Sequence, residues 1–202
     1  ARDAALNNLI LTIPGTNIAT GSNIIIDTTA PTITSITSST ANGSYKAGSI
    51  ISVTINFSEL ITLTGTMGIN LDSGGLVAIN AFTGTTATGI YTVLAGQTSA
   101  DLTATSVLVN STCRDVALNN LVTTLPATNI ATGSNIIIDT TAPTIISITS
   151  STANGSYKAG SVISVRINFS EIITIVGTMA INLDTGGVVV INSFTGTTTT
   201  GT

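Results

Sequence analysis

Apolar and polar residues alternate along several short stretches of this chain. In the clearest stretch, between Ser49 and Ser58, every second residue is apolar: Ile51, Val53, Ile55 and Phe57. The residues between them are Ser, Thr and Asn. A period of two is typical of a β-strand that buries one face and exposes the other. The alternation therefore predicts a half-buried strand that ends at Glu59.

The rest of the chain favours strands as well. β-branched residues are frequent, whereas helix formers such as Glu, Lys and Gln are scarce. Turn signals separate the apolar stretches at residues 41–43, 72–75 and 83–84, each of which contains Gly. The pattern predicts an all-β protein without helices.

One long repeat organises the sequence. The segment IIIDTTAPTI at residues 24–33 returns 112 residues later, at 136–145. At that offset, residues 139–202 match residues 27–90 at 51 of 64 positions, and residues 1–26 match residues 113–138 at 20 of 26. A repeat of this length predicts domain-sized units in series.

The phase of the repeat predicts the domain boundaries. Residues 1–26 would be the last strands of a preceding module, residues 27–138 a complete module, and residues 139–202 the first part of a third. About seven strands and no helix in one module predict an immunoglobulin-like β-sandwich, so the predicted fold is a tandem array of such sandwiches. A β-solenoid is the alternative, although 112 residues is long for one coil.

The composition argues against several classes of function. Charged residues are only 7% of the chain, the net charge is −4, and there is no His or Trp. This balance argues against nucleic acid as a partner and against a polybasic membrane-surface role. No apolar run approaches the ~20 residues of a membrane span. Without His there is no Ser-His-Asp triad, and we expect no enzymatic activity.

Three acidic residues fall at related places in the predicted fold. Asp27 precedes the first strand, the second strand returns to Glu59, and a later returning strand precedes Asp115. In a Greek-key sandwich all three would meet at one end of the module, where they would repel one another unless a cation were bound. Oxygen ligands suit Ca²⁺, whereas the lack of His and of paired Cys disfavours zinc and copper.

The same three residues also have a purely structural interpretation. Asp27 would cap a turn through its side chain. Glu59 would pair with Lys46 or Arg114. Asp115 would pair with Arg114 or organise an Asx-turn. In that case the carboxylates would need no metal.

Three motifs occur in order: IDTTAPTI at 26–33, VTINFSE at 53–59 and RDVALNN at 114–120. Together they resemble bacterial immunoglobulin-like repeats of very large surface proteins and adhesins, and the resemblance covers the whole chain. In that family the modules form extended stalks, and several members bind Ca²⁺ near module junctions. The resemblance implies an extracellular, cell-surface location. It also implies neighbouring like modules as partners, with a host or neighbouring-cell surface as a further one.

The resemblance also implies a set of metal ligands. In the complete module the matching positions are Asp27, Glu59, Asp115, Asn119 and Asn120. In the third module they are Asp139 and Glu171. A cation at Asp139, between two modules, would tie the linker to the next sandwich.

Three functions follow from these observations. The first is a structural module of an extracellular fibre or adhesin stalk, made rigid by Ca²⁺. The second is a self-assembling filament or surface-layer subunit, in which residues 1–26 of one chain complete residues 139–202 of another by strand exchange. The third is a carbohydrate-binding or cell-surface-binding module, which would need a face rich in aromatic or unusual polar residues.

Overall fold

All 202 residues are described by a computed structural model, in which the chain separates into two compact units, Ala1–Thr140 and Thr141–Thr202. Unit 1 contains α1 (Ile18–Gly21), β1 (Ile33–Ser38), β2 (Gly43–Tyr45), β3 (Ile50–Leu63), β4 (Met67–Leu71), β5 (Leu76–Ile79), β6 (Phe82–Thr92), β7 (Ala104–Val109), β8 (Cys113–Arg114), α2 (Ile130–Gly133) and β9 (Ile136–Ile138). Unit 2 contains β10 (Ile145–Ser150), β11 (Val165–Ile175), β12 (Met179–Asn182), β13 (Val188–Ile191) and β14 (Phe194–Gly201). Strands dominate both units, which confirms the all-β prediction.

The main sheet of unit 1 is antiparallel and has the strand order β1-β3-β6-β5-β4-β7, with β8 paired to β3. Strands β5 and β6 share a single residue pair, Ala78 with Ile90. Ile55 of β3 and Ile69 of β4 are nevertheless fully buried in one hydrophobic cluster. The sheet therefore curls around a single core, to which β1, β3 and β6 on one side and β5, β4 and β7 on the other all belong.

Strand β3 confirms the predicted alternation but not its predicted end. Ile51, Val53 and Ile55 are completely buried, as the period of two requires. The strand does not stop at Glu59; it continues to Leu63. The pairing of β3 with β6 shifts register between Asn56 and Ile61, and this irregularity lets the strand bend and go on. Glu59 thus lies within the irregular part of β3.

The prediction that the module has no helix is wrong in detail. Two helices of four residues occur, each with the sequence Ile-Ala-Thr-Gly. In α2 the Asn129 side chain accepts a hydrogen bond from the backbone amide of Ile130, and the Thr132 hydroxyl accepts one from the amide of Asn129. This reciprocal capping holds a single turn that composition alone does not reveal. No helix of the chain has the length and the apolar run needed to cross a membrane.

Residues 113–138 close the core of unit 1. Within this segment Ile130, Ile136 and Ile138 are almost completely buried. The segment is hydrogen-bonded to the rest of the unit at several places along its length: the amide of Val122 donates to the carbonyl of Pro31, the carbonyl of Thr128 accepts from Ile36, and the side chain of Asn129 bonds the backbone of Ala104. Strand β9 pairs in parallel with β2 and bonds Ser99 and Leu102 on its other side. These contacts make the segment an integral part of the unit.

Unit 2 repeats the beginning of this arrangement. Strands β10 and β11 pair in the register of β1 and β3, so that Ile145 faces Phe169 as Ile33 faces Phe57. Its own core consists of five residues: Val165, Ile167, Phe169, Val189 and Ile191. Residues 1–26, the other copy of the closing segment, are exposed along their whole length.

The close packing of β6 against β5 gives a test of the core. A Cβ added at Gly89 would collide with a side-chain methyl of Val77 and lie 3.0 Å from the carbonyl oxygen of Ala78. We expect Gly89→Ala to lower the free energy of unfolding by about 1–3 kcal/mol, measured by urea denaturation. Gly84→Ala in the same strand is the control, because its nearest neighbour would lie at 3.5 Å. Equal effects of the two substitutions would contradict this packing.

Candidate metal-binding site

Three carboxylates from distant parts of the sequence meet in unit 1. Asp27, Glu59 and Asp115 each offer an oxygen atom, and these atoms all lie within 4.8 Å of one another. Asp27 precedes β1, Glu59 belongs to β3, and Asp115 follows β8. The sequence placed the same three residues at one end of the module, and the structure brings them together.

Asp115 is held by its own loop. The backbone amide and the side-chain amide of Asn119 each donate to one oxygen of the Asp115 carboxylate, both at 2.8 Å. Between them, Leu118 has a φ of 70°, in the left-handed region that non-glycine residues rarely adopt. Asp115 is only 5% exposed, so the loop fixes a buried carboxylate in one orientation.

The loop is determined by its local sequence. Residues 2–8, RDAALNN, repeat residues 114–120 with one substitution. There the two amides of Asn7 donate to Asp3 at 2.9 Å each, and Leu6 has a φ of 68°. The side-chain hydrogen bond from Asn7 lowers the pKa of Asp3. Because residues 1–26 are exposed, the loop forms without help from a surrounding core.

Asn119 also fastens the chain around Asp27. Its side-chain nitrogen lies 3.2 Å from the carbonyl oxygen of Asp27 and 3.3 Å from that of Thr29. One oxygen of the Asp27 carboxylate accepts the amide of Thr29 at 2.9 Å, as the turn-capping interpretation predicted. A single amide group therefore joins two chain segments that are about ninety residues apart.

The two predicted asparagine ligands act here through hydrogen bonds. Asn119 presents its amide nitrogen, a donor, to the Asp115 carboxylate. Asn120 accepts the Nε of Arg114 at 2.8 Å through its side-chain oxygen. Their role as metal ligands stays a prediction, whereas their role in positioning Asp27 and Asp115 is visible.

The charge at the site is negative. Desolvation raises the pKa of Glu59, and the neighbouring charges of Asp27 and Asp115 raise it further. The Nε of Arg114 donates to Asn120, and the charges that act on the pKa of Glu59 are those of Asp27 and Asp115. Part of the purely structural interpretation is present, since the carboxylates of Asp27 and Asp115 each accept a backbone amide of their own turn. Glu59 lies beside these two carboxylates.

An open cavity of about 400 Å³ gives solvent access to the cluster. Its lining consists of two of the carboxylates and four aliphatic residues: Asp27, Glu59, Ile25, Leu60, Val116 and Ala117. A cation can therefore reach these carboxylate oxygens from solvent without any rearrangement of the core.

The two predicted ligands of the third module lie elsewhere. Asp139 follows β9 in unit 1, and its backbone amide donates to the carbonyl of Tyr45 at 3.0 Å. Glu171 lies within β11 of unit 2, where it is partly buried. Neither belongs to a group of three or more acidic, His or Cys residues that could hold a metal ion. Their role as ligands stays a prediction.

The positioning role of Asn119 was missed from the sequence. The signal was present, because the two copies of the loop keep the Asp, Leu and Asn residues while Ala4 is replaced by Val116. An Asp side chain readily bonds the backbone of the turn that follows it, so an Asp kept in both copies of this loop indicates a turn held by that side chain.

In chemical terms, the cluster could hold a metal ion through oxygen ligands. Comparison of the chain with described protein families and with curated proteins finds no match.

The raised pKa of Glu59 predicts a pH dependence of stability in a metal-free sample. A carboxyl group whose pKa is higher in the folded than in the unfolded protein binds more protons when folded. Its contribution to stability therefore increases as the pH falls from neutrality toward 4.5, the ordinary value, and is lost as the pH rises. Urea denaturation in a chelator at several pH values should show this increase.

Two variants isolate the effect. Glu59→Gln should remove this part of the pH profile, because the titrating group is gone. Glu171→Gln, at the equivalent position of unit 2 and outside the cluster, should keep it. An unchanged profile in Glu59→Gln would contradict the electrostatic account.

Proposed function

We propose that this chain is a structural repeat segment of an extracellular fibre or adhesin stalk. It consists of tandem immunoglobulin-like β-sandwich modules. Ca²⁺ bound by Asp27, Glu59 and Asp115 makes the connection into the first strand of a module rigid. The observation that carries the proposal is the meeting of these three carboxylates at the point where residues 1–26 lead into β1.

The chemistry of the cluster favours Ca²⁺. Ca²⁺ takes six to eight oxygen ligands at about 2.3–2.6 Å, so two ligands on opposite sides of the ion are about 5 Å apart. Oxygens within 4.8 Å of one another fit around one such ion. The carbonyl groups of Asp27 and Thr29, held nearby by Asn119, are further oxygen donors of the kind that Ca²⁺ accepts.

The position of the cluster supports a mechanical role. Asp27 belongs to the connection between residues 1–26 and β1, whereas Glu59 and Asp115 belong to the body of the unit. A cation shared among them would restrain the connecting backbone. Repeated units joined by restrained connections give an extended, stiff polymer, because each unit contacts only its neighbours.

The fold agrees with this proposal. One curled antiparallel sheet surrounds a single core in unit 1, and β10 and β11 repeat the register of β1 and β3. Carbohydrate recognition is less favoured, because Phe57 and Tyr91 are buried in the core and do not form an aromatic surface.

Thermal unfolding of the whole chain, in Ca²⁺ and then in chelator, tests the proposal. A ligand that binds only the folded state stabilises it by about 2.7 kcal/mol at 100 times its Kd. We expect Ca²⁺ to raise the Tm of the wild-type protein. Glu59→Gln should abolish the rise and, in chelator, be at least as stable as the wild type, because a repelled charge has been removed.

Glu171→Gln is the matched control and should respond to Ca²⁺ as the wild type does. In NMR relaxation measurements, Ca²⁺ should also order the backbone of residues 24–27 in the wild type but not in Glu59→Gln. A Tm that does not depend on Ca²⁺ would refute the site. Equal stabilisation by Mg²⁺ would contradict the assignment of Ca²⁺.

A further inference from the structure

We propose that unit 1 carries a self-association surface, through which it binds the same surface of a second copy of the chain. The surface lies on the outward face of strands β4, β5, β6 and β7 and consists of exposed aliphatic residues. It takes no part in the Ca²⁺ site, whose carboxylates precede β1, belong to β3 and follow β8. The inference therefore goes beyond the proposed stalk function and does not depend on it.

A row of paired residues crosses these four strands. Leu108 of β7 is paired with Gly68 of β4, which is also paired with Ala78 of β5. Ala78 in turn is paired with Ile90 of β6. Adjacent strands lie about 4.8 Å apart, so the row extends for roughly 14 Å across the sheet. Leu76 of β5 covers Gly68, since a Cβ added there would lie 3.0 Å from a methyl carbon of Leu76.

Four of these residues, Leu76, Ala78, Ile90 and Leu108, form what we call the outer patch. It is exposed although unit 1 contains one whole repeat, residues 27–138. Leu76 is 56% exposed, and Ile90 and Leu108 are each 53% exposed. Val77, the neighbour of Leu76 along β5, is buried in the core. The alternation of the strands thus directs the outer patch away from the core, and no other segment of unit 1 covers it.

The surroundings of the outer patch are uncharged. Strands β4, β5, β6 and β7 contain no charged residue. The polar groups beside the patch bond one another, since the side-chain amide of Asn70 donates to the Ser106 hydroxyl at 2.8 Å. An ordinary soluble surface mixes charged residues of both signs, which oppose association. Contact between this face and another apolar surface therefore requires no desolvation of a charge.

The repeat changes this face without making it polar. Three of its positions differ between the two copies, as Gly68 and Ala180, Leu76 and Val188, and Ala78 and Val190. The first two changes compensate each other, because the methyl group added at 180 takes space that the shorter side chain at 188 leaves free. On the outward face of β3, by contrast, Thr54 corresponds to the charged Arg166. Because Ile90 corresponds to Thr202, the recurring part of the surface consists of positions 68, 76 and 78.

A second copy of the chain matches this surface in charge and in number. Two identical patches related by a twofold axis meet without bringing a charge into the contact. The surface recurs with the 112-residue repeat, so a second chain offers one patch for each patch of the first. Contacts that recur along two chains strengthen one another by multivalency, although each is the same small contact.

The area of the outer patch predicts a weak contact for a single unit. At on the order of 100 Å² for each large side chain, Leu76, Ile90 and Leu108 supply roughly 300 Å². A standard interface buries about 800 Å² on each partner, so one pair of units associates only at high concentration. The contact becomes effective where many units are joined in one chain.

Sedimentation equilibrium and NMR spectra of the whole chain, recorded up to about 1 mM, test the proposal. We expect reversible association, in which the amide shifts of Gly68, Ala78 and Leu108 change with concentration. The amide shifts of Thr37 and Thr54, which are paired in β1 and β3, should stay constant.

Two variants of similar shape isolate the apolar character of the outer patch. One combines Leu76→Val, Ile90→Val and Leu108→Val, and the other combines Leu76→Thr, Ile90→Thr and Leu108→Thr. Val and Thr are both β-branched, and they differ by a methyl against a hydroxyl group. We expect the threonine variant to associate at least about tenfold more weakly than the valine variant. The two should have closely similar Tm values, because the three side chains point outward.

A single added charge gives a second test with a matched control. Leu76→Arg should abolish association, because the twofold axis brings two like charges together. Thr54→Arg adds the same charge to β3, at the position where the other copy of the repeat has Arg166. This control should associate as the wild type does.

Each contrary result would overturn the proposal. A monomer up to about 1 mM would do so, and so would equal association of the valine and threonine variants. Vesicles of neutral phosphatidylcholine test another occupant. If a monomeric chain bound them and Leu76→Arg did not, the outer patch would be assigned to a lipid surface and not to a second copy. Chelator and Glu59→Gln should leave association unchanged, so failure here is distinguishable from failure of the Ca²⁺ site.

Discussion

The closure of unit 1 by residues 113–138 is the interaction on which the other features of this structure depend. Ile130, Ile136 and Ile138 enter the core with this segment and become almost completely buried. At about 1.5–3 kcal/mol for each buried aliphatic side chain, the three together contribute roughly 5–9 kcal/mol before the entropy of ordering the segment is subtracted. That is comparable with the whole net stability of an ordinary domain.

The carboxylate cluster is a consequence of the same closure. Asp115 enters the unit at the start of the closing segment, and Asn119 fastens its loop to the backbone of Asp27. Glu59 lies at the register shift of β3, where its pKa is raised by desolvation and by the charges of the two aspartates. Apolar burial thus holds together charges that repel one another, and a bound cation would turn that repulsion into attraction.

The sequence predicted what depends on local pattern and repetition. The inward face of β3 followed from a period of two, and the meeting of Asp27, Glu59 and Asp115 followed from the order of strands. It did not predict the continuation of β3 past Glu59, because a register shift depends on the partner strand β6. The helices were missed because a four-residue turn depends on the cap at Asn129, and the role of Asn119 depends on a contact across 92 residues.

Hydrogen exchange of the metal-free chain at high dilution measures what closure by residues 113–138 contributes to stability, because the two units supply matched amides. Val53 and Ile55 in β3 correspond to Val165 and Ile167 in β11, with the same strand pairing but without a closing segment over unit 2. If closure stabilises unit 1 as described, exchange in β3 is roughly a hundredfold or more slower than in β11. Equal protection of the two strands would contradict it, because closure by residues 113–138 would then contribute little to stability.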